Sequence, residues 1–407
     1  MLVKLQKLFL VVAAAIALSC EVSAKAEIQA LSNPRDAETT RLYELAVIQG
    51  DARAQYELGG MYEEGTKVPK DDAEAGRWYR RAADQGYAPA QSDLGIMYHN
   101  GTGVPQSFTE AVRWYRLAAE QGNAGGQFNL GIAHRAGTGI AQSDSEAARW
   151  YRLAADQGLA AAQYNLGVFY KLGTSLEQDD VQAARWFRLS ADQGYAEAQY
   201  NLGVMYGAGT GVREDHSEAI RLYRLAAAQG SAAAMYNLGV MTGSGQGLQQ
   251  DYAEAVRFYR LAADRGYAAA QSNLGAMLEH GKGVQRDYAE AAHWYRLAAE
   301  QGDAVAQFNL GAMYEHGLGV TQSHDEAIRW YRAAADQGLA DGQGNIGIMY
   351  ANGTGVQKNL VEAYKWLSLS ARGGDAFWAG NRDLLADQMT DAQIIEGMRL
   401  AQEWPSR

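Results

Sequence analysis

The stretch YAPAQSDLGIMYHNGTGVPQSFTEAVRWYRLAAEQG, residues 87–122, decides the fold. It holds two helical patterns on either side of a loop carrying Gly101 and Gly103, and it closes on Gly122. A closing glycine takes the left-handed conformation after a helix without the cost of a Cβ. The same closing place is filled by Gly50, Gly86, Gly122, Gly158, Gly194, Gly230, Gly266, Gly302, Gly338 and Gly374, each 36 residues from the one before. Nine units therefore follow one another over 51–374 without an insertion. The opening unit has the same layout, with helical patterns from Asp51 to Glu64 and from Asp72 to Gln85 around a loop from Gly65 to Lys70. A helical hairpin this short cannot bury its own apolar face, so the units must stack. The expected fold is all-α: an α-solenoid, a right-handed superhelix of stacked helix-turn-helix repeats with a 36-residue period.

Within 87–122 the recurring residues are Ala90, Leu94, Gly95, Tyr98, Gly101, Gly103 and Val104, then Glu110, Ala111, Trp114, Tyr115, Ala118, Ala119 and Gly122. This pattern resembles Sel1-like repeats, relatives of the tetratricopeptide repeat. The resemblance covers 324 of 407 residues, and it says more about fold than function because the shared residues are those that build the repeat. It implies a bacterial protein that binds other proteins, in envelope regulation, signalling or host contact.

The ends of a solenoid must depart from the repeat. Glu38, Leu42, Tyr43, Ala46, Gln49 and Gly50 match a second helix with no first helix before it, so 25–50 is expected to be a half-repeat cap, helical from residue 36. At the other end, 375–407 reads as capping helices. Thr390-Asp391-Ala392-Gln393 is a capping box that opens a helix through Ile394, Met398 and Ala401 toward Trp404, expected to cover the last exposed face.

The first helix is apolar on nearly all sides: Ala54, Leu58, Met61 and Tyr62 on one, Tyr56 and Gly60 on another, with apolar counterparts such as Phe128, Ile96 and Val204. Such a helix is expected to be sandwiched between neighbours, with Gly59 and its counterparts allowing close approach. The second helix points Ala75, Trp78, Ala82 and Ala83 inward. Trp recurs at Trp114, Trp150, Trp186, Trp294, Trp330 and Trp366, with Leu222 and Phe258 as substitutes, and rings against alanines fill a core. Asn129, Asn165, Asn201, Asn237, Asn273, Asn309 and Asn345 share one mid-helix place where Asn is a poor helix former. They either read the backbone of a bound peptide or satisfy backbone groups of an adjacent loop, and the structural role is favoured. Arg77 and Arg80 lie three and four residues from Glu74 and Asp84, which predicts exposed salt bridges along the helix.

The chain has 47 acidic against 36 basic residues and a net charge of -11, which argues against nucleic-acid binding. Only five prolines accompany 46 glycines, as suits helices joined by glycine turns. Residues 1–24 carry Lys4 and Lys7, an apolar run from Leu8 to Leu18 too short to span a bilayer, and small residues ending Val22-Ser23-Ala24. They read as a signal peptide cleaved near Ala24, and the protein is expected to be periplasmic or secreted. Cys20, the single cysteine, allows a lipid-anchored alternative, but in Ala17-Leu18-Ser19-Cys20 the bulky residue stands one place too late. Soluble export is expected, with no disulfide in the mature protein.

No sequence motif of a hydrolase, metalloprotease or nucleotide-binding loop occurs, and the glycine pairs such as Gly101 and Gly103 recur between helices as turns. His280 and His316, each preceded by a glutamate (Glu279, Glu315), read as solvated loop residues, and His134 as a tolerated core substitution for Tyr. No catalytic, cofactor or metal residue is expected. A peptidoglycan or β-lactam enzyme is the alternative, because some cysteine-rich relatives resemble such proteins, but their repeats carry paired cysteines that are missing here.

Specificity is expected on the exposed strip of the first helix, where residues vary: Arg53, Tyr56 and Glu63, then Pro89, Ser92 and His99, then Gly125, Phe128 and Arg135, then Ala161, Tyr164 and Lys171, then Glu197, Tyr200 and Gly207. The aromatic place, Tyr56, Phe128, Tyr164, Tyr200, Tyr236 and Phe308, either anchors an extended or helical peptide on the concave face or packs against the next repeat. The expected protein is a non-catalytic, exported interaction scaffold for a protein or peptide partner, monomeric and without a membrane span.

Overall fold

A computed structural model describes residues 37–404 of the chain. The segment expected to be a signal peptide, Cys20 and the start of the expected cap lie outside the described residues. Among these residues every regular element is helical. The chain divides into two compact units: one runs to Ala198 and takes in Thr210–Val212, and the other comprises Gln199–Gly209 and the chain from Arg213 onward.

In the first unit, the helix Ala37–Tyr43 and a π-helical turn Glu44–Ile48 precede four helix pairs. The pairs are Ala52–Glu64 with Asp72–Asp84, Ala88–Asn100 with Phe108–Glu120, Ala124–Ala136 with Asp144–Asp156, and Ala160–Leu172 with Asp180–Asp192. Each helix packs on the next in tandem, an α-solenoid arrangement. Local sequence sets the boundaries. Asp51 accepts a hydrogen bond from the Ala54 amide and Asp71 from those of Ala73 and Glu74, so each side chain satisfies donors at a helix start. Gly122 takes φ +84°, as a left-handed closing residue should. Gly103 is needed for a second reason: a Cβ there would stand 2.0 Å from the Asp72 carbonyl oxygen of the preceding repeat.

The second unit follows the same rules. Its pairs include Ala232–Ser244 with Tyr252–Ala263, Ala268–His280 with Tyr288–Glu300, Ala304–His316 with His324–Asp336, and Ala340–Asn352 with Leu360–Ser370. Two further helices, Ala376–Ala386 and Asp391–Glu403, complete it.

The core of both units is the alanine and tryptophan set read from the sequence. Ala75, Trp78, Ala82 and Ala83 are buried, as are Trp114, Trp186 and Leu222, while Phe258 is half-buried. A polar ladder runs through this core. Gln91 is 4% exposed, yet its Nε2 donates to the Ala83 carbonyl at 3.1 Å and its Oε1 accepts from Gln121 at 2.7 Å. Gln127 and Gln163 are held in the same way by Ala119 with Gln157 and by Ala155 with Gln193. In the second unit Gln271 and Gln307 repeat the arrangement with Gln301 and Gln337. Each buried amide therefore meets partners at both ends, which removes the penalty of burying it. Met235 takes the glutamine's place in one repeat, and Arg265 replaces its partner, turning to the Leu261 carbonyl at 2.9 Å.

The N-terminal segment uses the same device: Gln55 Nε2 donates to the Ala46 carbonyl at 3.0 Å, and Tyr43 shares a 2.6 Å hydrogen bond with Tyr62. At the C-terminus, Thr390 and Gln393 form the capping box, and Trp404 meets Trp366 edge to face at 4.8 Å. That helix covers less than the sequence suggests. Ala401 is buried, but Met398 and Ile395 stay exposed, because only the Gly397 and Ala401 side of the helix touches the repeat, and Phe377 and Leu384 of the helix Ala376–Ala386 are exposed as well.

Candidate functional site

The first helices carry the candidate site. Tyr56, Phe128, Tyr164, Tyr200, Tyr236 and Phe308 are all half-buried. Each ring lies on the aromatic ring of its own repeat's second helix: Tyr56 on Tyr79 at 5.5 Å, Phe128 on Tyr151 at 5.7 Å, Tyr164 on Phe187 at 5.7 Å. In the second unit the pairs are Tyr200 with Tyr223 at 6.0 Å, Tyr236 with Tyr259 at 5.9 Å, and Phe308 with Tyr331 at 5.5 Å. Tyr56, Tyr164 and Tyr236 also touch Tyr87, Tyr195 and Tyr267, which stand at the start of the following helix. One face of each ring is therefore committed to packing, and the remainder is open to solvent.

The recurring asparagines act on these tyrosines. Asn237 bonds the phenols of Tyr200 and Tyr223, Asn273 those of Tyr236 and Tyr259, and Asn309 and Asn345 those of Tyr295 and Tyr331. These four asparagines meet phenols of the preceding repeat, whereas Asn165 donates to the Ala161 carbonyl of its own helix at 2.8 Å, so the partners are not those of an adjacent loop. Burial pushes the Tyr223 and Tyr259 phenols up to about 12, with the asparagine bonds opposing. In the second repeat an aspartate replaces the Asn: Asp93 accepts from Tyr56 at 2.9 Å, and burial raises its carboxyl above the usual range.

The arginine expectation needs correction. Arg77 pairs with Glu74 at 2.6 Å, as read, but Arg80 does not bridge along its own helix. It donates to the Tyr98 hydroxyl of the next repeat and lies over the Trp114 ring at 5.1 Å. Arg152 reaches Tyr170, Arg296 reaches Tyr314 at 2.7 Å, and Arg332 reaches Tyr350 at 2.7 Å. The planar guanidinium suits this double duty of bonding and stacking.

The variable places of the strip are partly engaged. Arg53 pairs with Glu57 at 2.9 Å, Glu63 accepts from Tyr79 at 2.6 Å, and Lys171 pairs with Asp180 at 2.8 Å. His99 stands edge-on to Phe108 at 5.2 Å, and Arg135 donates to Asn165 at 3.4 Å. His280 and His316 are exposed, Glu279 and Glu315 accept from Tyr295 and Tyr331 at 2.7 Å, and His134 is half-buried. Among the described residues no group of three or more His, Cys, Asp or Glu stands close enough to hold a metal ion. None of the described helices is long and apolar enough to cross a membrane.

The sequence reading missed one feature of this face. Ile96, Ile132 and Val204, at the place of Gly60, are 38–39% exposed, although a sandwiched helix was expected to bury them. They lie one turn beyond the half-buried Asp93, Asn129 and Asn201, and that polar neighbour was the available signal. In the first unit Ile96 and Ile132 line a cleft of about 430 Å³ with His99, Tyr115 and Asn129.

Nine consecutive stretches match the model of the Sel1 repeat: 52–87, 88–123, 124–159, 160–195, 196–231, 232–267, 268–303, 304–339 and 340–375. Among solved structures the chain is similar to c5321, a protective antigen of uropathogenic Escherichia coli strains with an SLR fold. That match has 31% identity and a TM-score of 0.61, over 98% of this chain and 94% of the other. It is also similar to a Sel1 repeat protein from Oxalobacter formigenes, with 35% identity and a TM-score of 0.56 over 76% and 89% of the two chains. No curated protein matches it. Sel1 repeat proteins are in general non-catalytic scaffolds for protein interactions. By its nine matched repeats and by its likeness to these two structures, the chain belongs to the Sel1 repeat family.

Proposed function

We propose that this protein is an exported interaction scaffold that holds a protein or peptide partner on the face of its first helices, without catalysis. One observation carries the reading. Many of the residues that recur from repeat to repeat are consumed by packing and by hydrogen bonds between repeats, whereas on the first helices Ile96, Ile132 and Val204 hold apolar side chains at the surface beside half-buried aromatic rings. Exposed apolar groups beside half-packed aromatic rings suit an interface core, since desolvated aromatic anchors carry most binding energy and the contacts around them exclude water. Tyr56, Phe128, Tyr164, Tyr200, Tyr236 and Phe308 supply the rings. Export, with cleavage near Ala24 and a periplasmic or secreted destination, is supported by the layout of residues 1–24 and by the similar E. coli protein being a protective antigen.

The test is affinity capture from an envelope extract with the mature protein and with an Ile96→Asp/Ile132→Asp variant. Both positions are exposed, and circular dichroism checks that the variant folds. A partner retained by the parent and lost by the variant supports the reading. Identical capture by both proteins refutes it. Mass spectrometry of the mature N-terminus tests soluble export: a chain beginning at Lys25 or Glu27 supports it, and an acylated Cys20 overturns it in favour of a lipid anchor.

A further inference from the structure

Where the eighth and ninth repeats meet, a cavity of about 620 Å³ is lined by Arg332, Tyr350, Lys358, Asn359, Glu362 and Lys365 among others. Three cations face one carboxylate there, in a chain whose net charge is -11. Lys365 is 8% exposed. Its ammonium lies 3.2 Å from Glu362 and between the rings of Trp366 at 4.7 Å and Trp404 at 4.5 Å. Earlier repeats hold an exposed arginine at this place, such as Arg113, whose side chain is 57% exposed. The C-terminal helix, by laying Trp404 over the last repeat, turns a surface cation into a cavity wall.

The seventh repeat shows the same place with its arginine paired to a carboxylate. There Leu278 offers no hydroxyl, so Arg260 pairs with Glu290 at 2.5 Å, and that hydrogen bond holds the Glu290 carboxyl below its usual range. In the ninth repeat Arg332 donates to the Tyr350 hydroxyl instead, and Glu362 turns to Lys365. No carboxylate among the described residues bridges to Arg332. Lys358 adds a third charge where Gln106, Gln142, Gln178, Gln250 and Gln322 stand in five other repeats; Lys70 and Arg286 are cations at this place and Glu214 an anion, and Lys70 is paired with Asp72 at 3.5 Å. Asn359, which lines the same space, caps the helix Leu360–Ser370 by accepting from the Val361 and Glu362 amides.

We propose that this cavity binds a phosphate monoester. Its walls carry a net charge of about +2, which matches a dianionic phosphate and would leave a surplus against a single carboxylate. The space exceeds what one phosphate group fills, and Tyr350 and Val356 offer a surface for the organic part. The site is separate from the interaction face, and neither reading depends on the other.

Isothermal titration of the intact protein at low ionic strength, with inorganic phosphate and with glycerol 3-phosphate, tests the proposal. One saturable site is expected, tighter for the ester. Lys358→Ala, at an exposed position that folding does not need, weakens binding roughly 5- to 10-fold. Glu362→Gln tightens it several-fold, because a competing carboxylate is gone. Arg286→Ala, at the Lys358 place of the seventh repeat where Arg260 is already paired with Glu290, leaves it unchanged. Absence of saturable binding at millimolar ligand, tighter binding of inorganic phosphate than of the ester, or wild-type affinity in both Lys358→Ala and Glu362→Gln would overturn it.

Discussion

Two adjacent glycines in the helix Ala52–Glu64 should respond in opposite directions to the same substitution. A Cβ at Gly60 would meet only the Tyr79 hydroxyl, at 3.7 Å, and the counterparts Ile96 and Ile132 already carry side chains there. Gly60→Ala thus keeps every contact and lowers the backbone entropy lost on folding, a gain of about 0.5–1 kcal/mol. A Cβ at Gly59 would stand 2.5 Å from Cδ1 and Cε1 of Tyr79. Carbon atoms rest at about 3.5–4.0 Å, so the ring must retreat by about 1 Å. It has nowhere to go, being 3% exposed and tied through its hydroxyl to Glu63 at 2.6 Å. Overpacking of this kind costs about 1–3 kcal/mol. Set against the same entropic gain, Gly59→Ala should lose about 1–2 kcal/mol. Stability in a repeat array is local, so native-state hydrogen exchange of the first repeat's amides is the suitable assay, supported by urea melts. If both variants move protection in the same direction, or Gly59→Ala raises it, the close-approach argument is refuted.

Gln163→Met removes the bonds to Gln193 and to the Ala155 carbonyl while roughly conserving volume, and should cost about 1–2 kcal/mol in a urea melt. The Asp93 carboxyl is raised by burial, so its contribution to stability is full below the ordinary carboxylate range and is lost as pH rises through the folded value. Asp93→Asn, which restores the residue of the other repeats, should therefore raise the urea midpoint at neutral pH and flatten its dependence on acidification. A lower midpoint at pH 7 would contradict this. Thr390→Ala breaks the capping box and should cost the last helix about 1 kcal/mol, read as loosening of Trp404 in near-ultraviolet circular dichroism.

Much of this architecture was legible because the period removes ambiguity: Trp78 and its alanine neighbours could be placed inside from spacing alone, and Gly59 as a point of close approach. Side chains that act between repeats were harder. Arg80 stands beside Glu74 and Asp84 in sequence, yet it turns to Tyr98, eighteen residues on, because a stacked ring and a phenol together outbid an exposed ion pair. The asparagines were read as partners of loop backbone, but the phenols that Asn237, Asn273, Asn309 and Asn345 meet come from the preceding repeat, and no helical wheel displays them. The glutamine ladder went unread: a polar residue between Ala90 and Leu94 looks like a surface position until Ala83 and Gln121 are seen to enclose it. At the candidate site, the aromatic rings were found but not their half-buried state. Ile96 and Ile132 were assigned to the interior, since apolar character alone does not reveal which flank of a helix lacks a neighbour.

The glutamine pair has a bearing on how such a chain is inherited. Gln55 and Gln85, like Met235 and Arg265, belong to one 36-residue block, so copying or deleting a whole block carries both halves together and leaves every seam compatible. The arginine and tyrosine contact is different, because its halves lie in consecutive blocks. A lineage that reshuffles blocks must repair that contact afresh, and the replacement of Tyr by Leu278, met by Glu290 reaching back to Arg260, is what such a repair looks like.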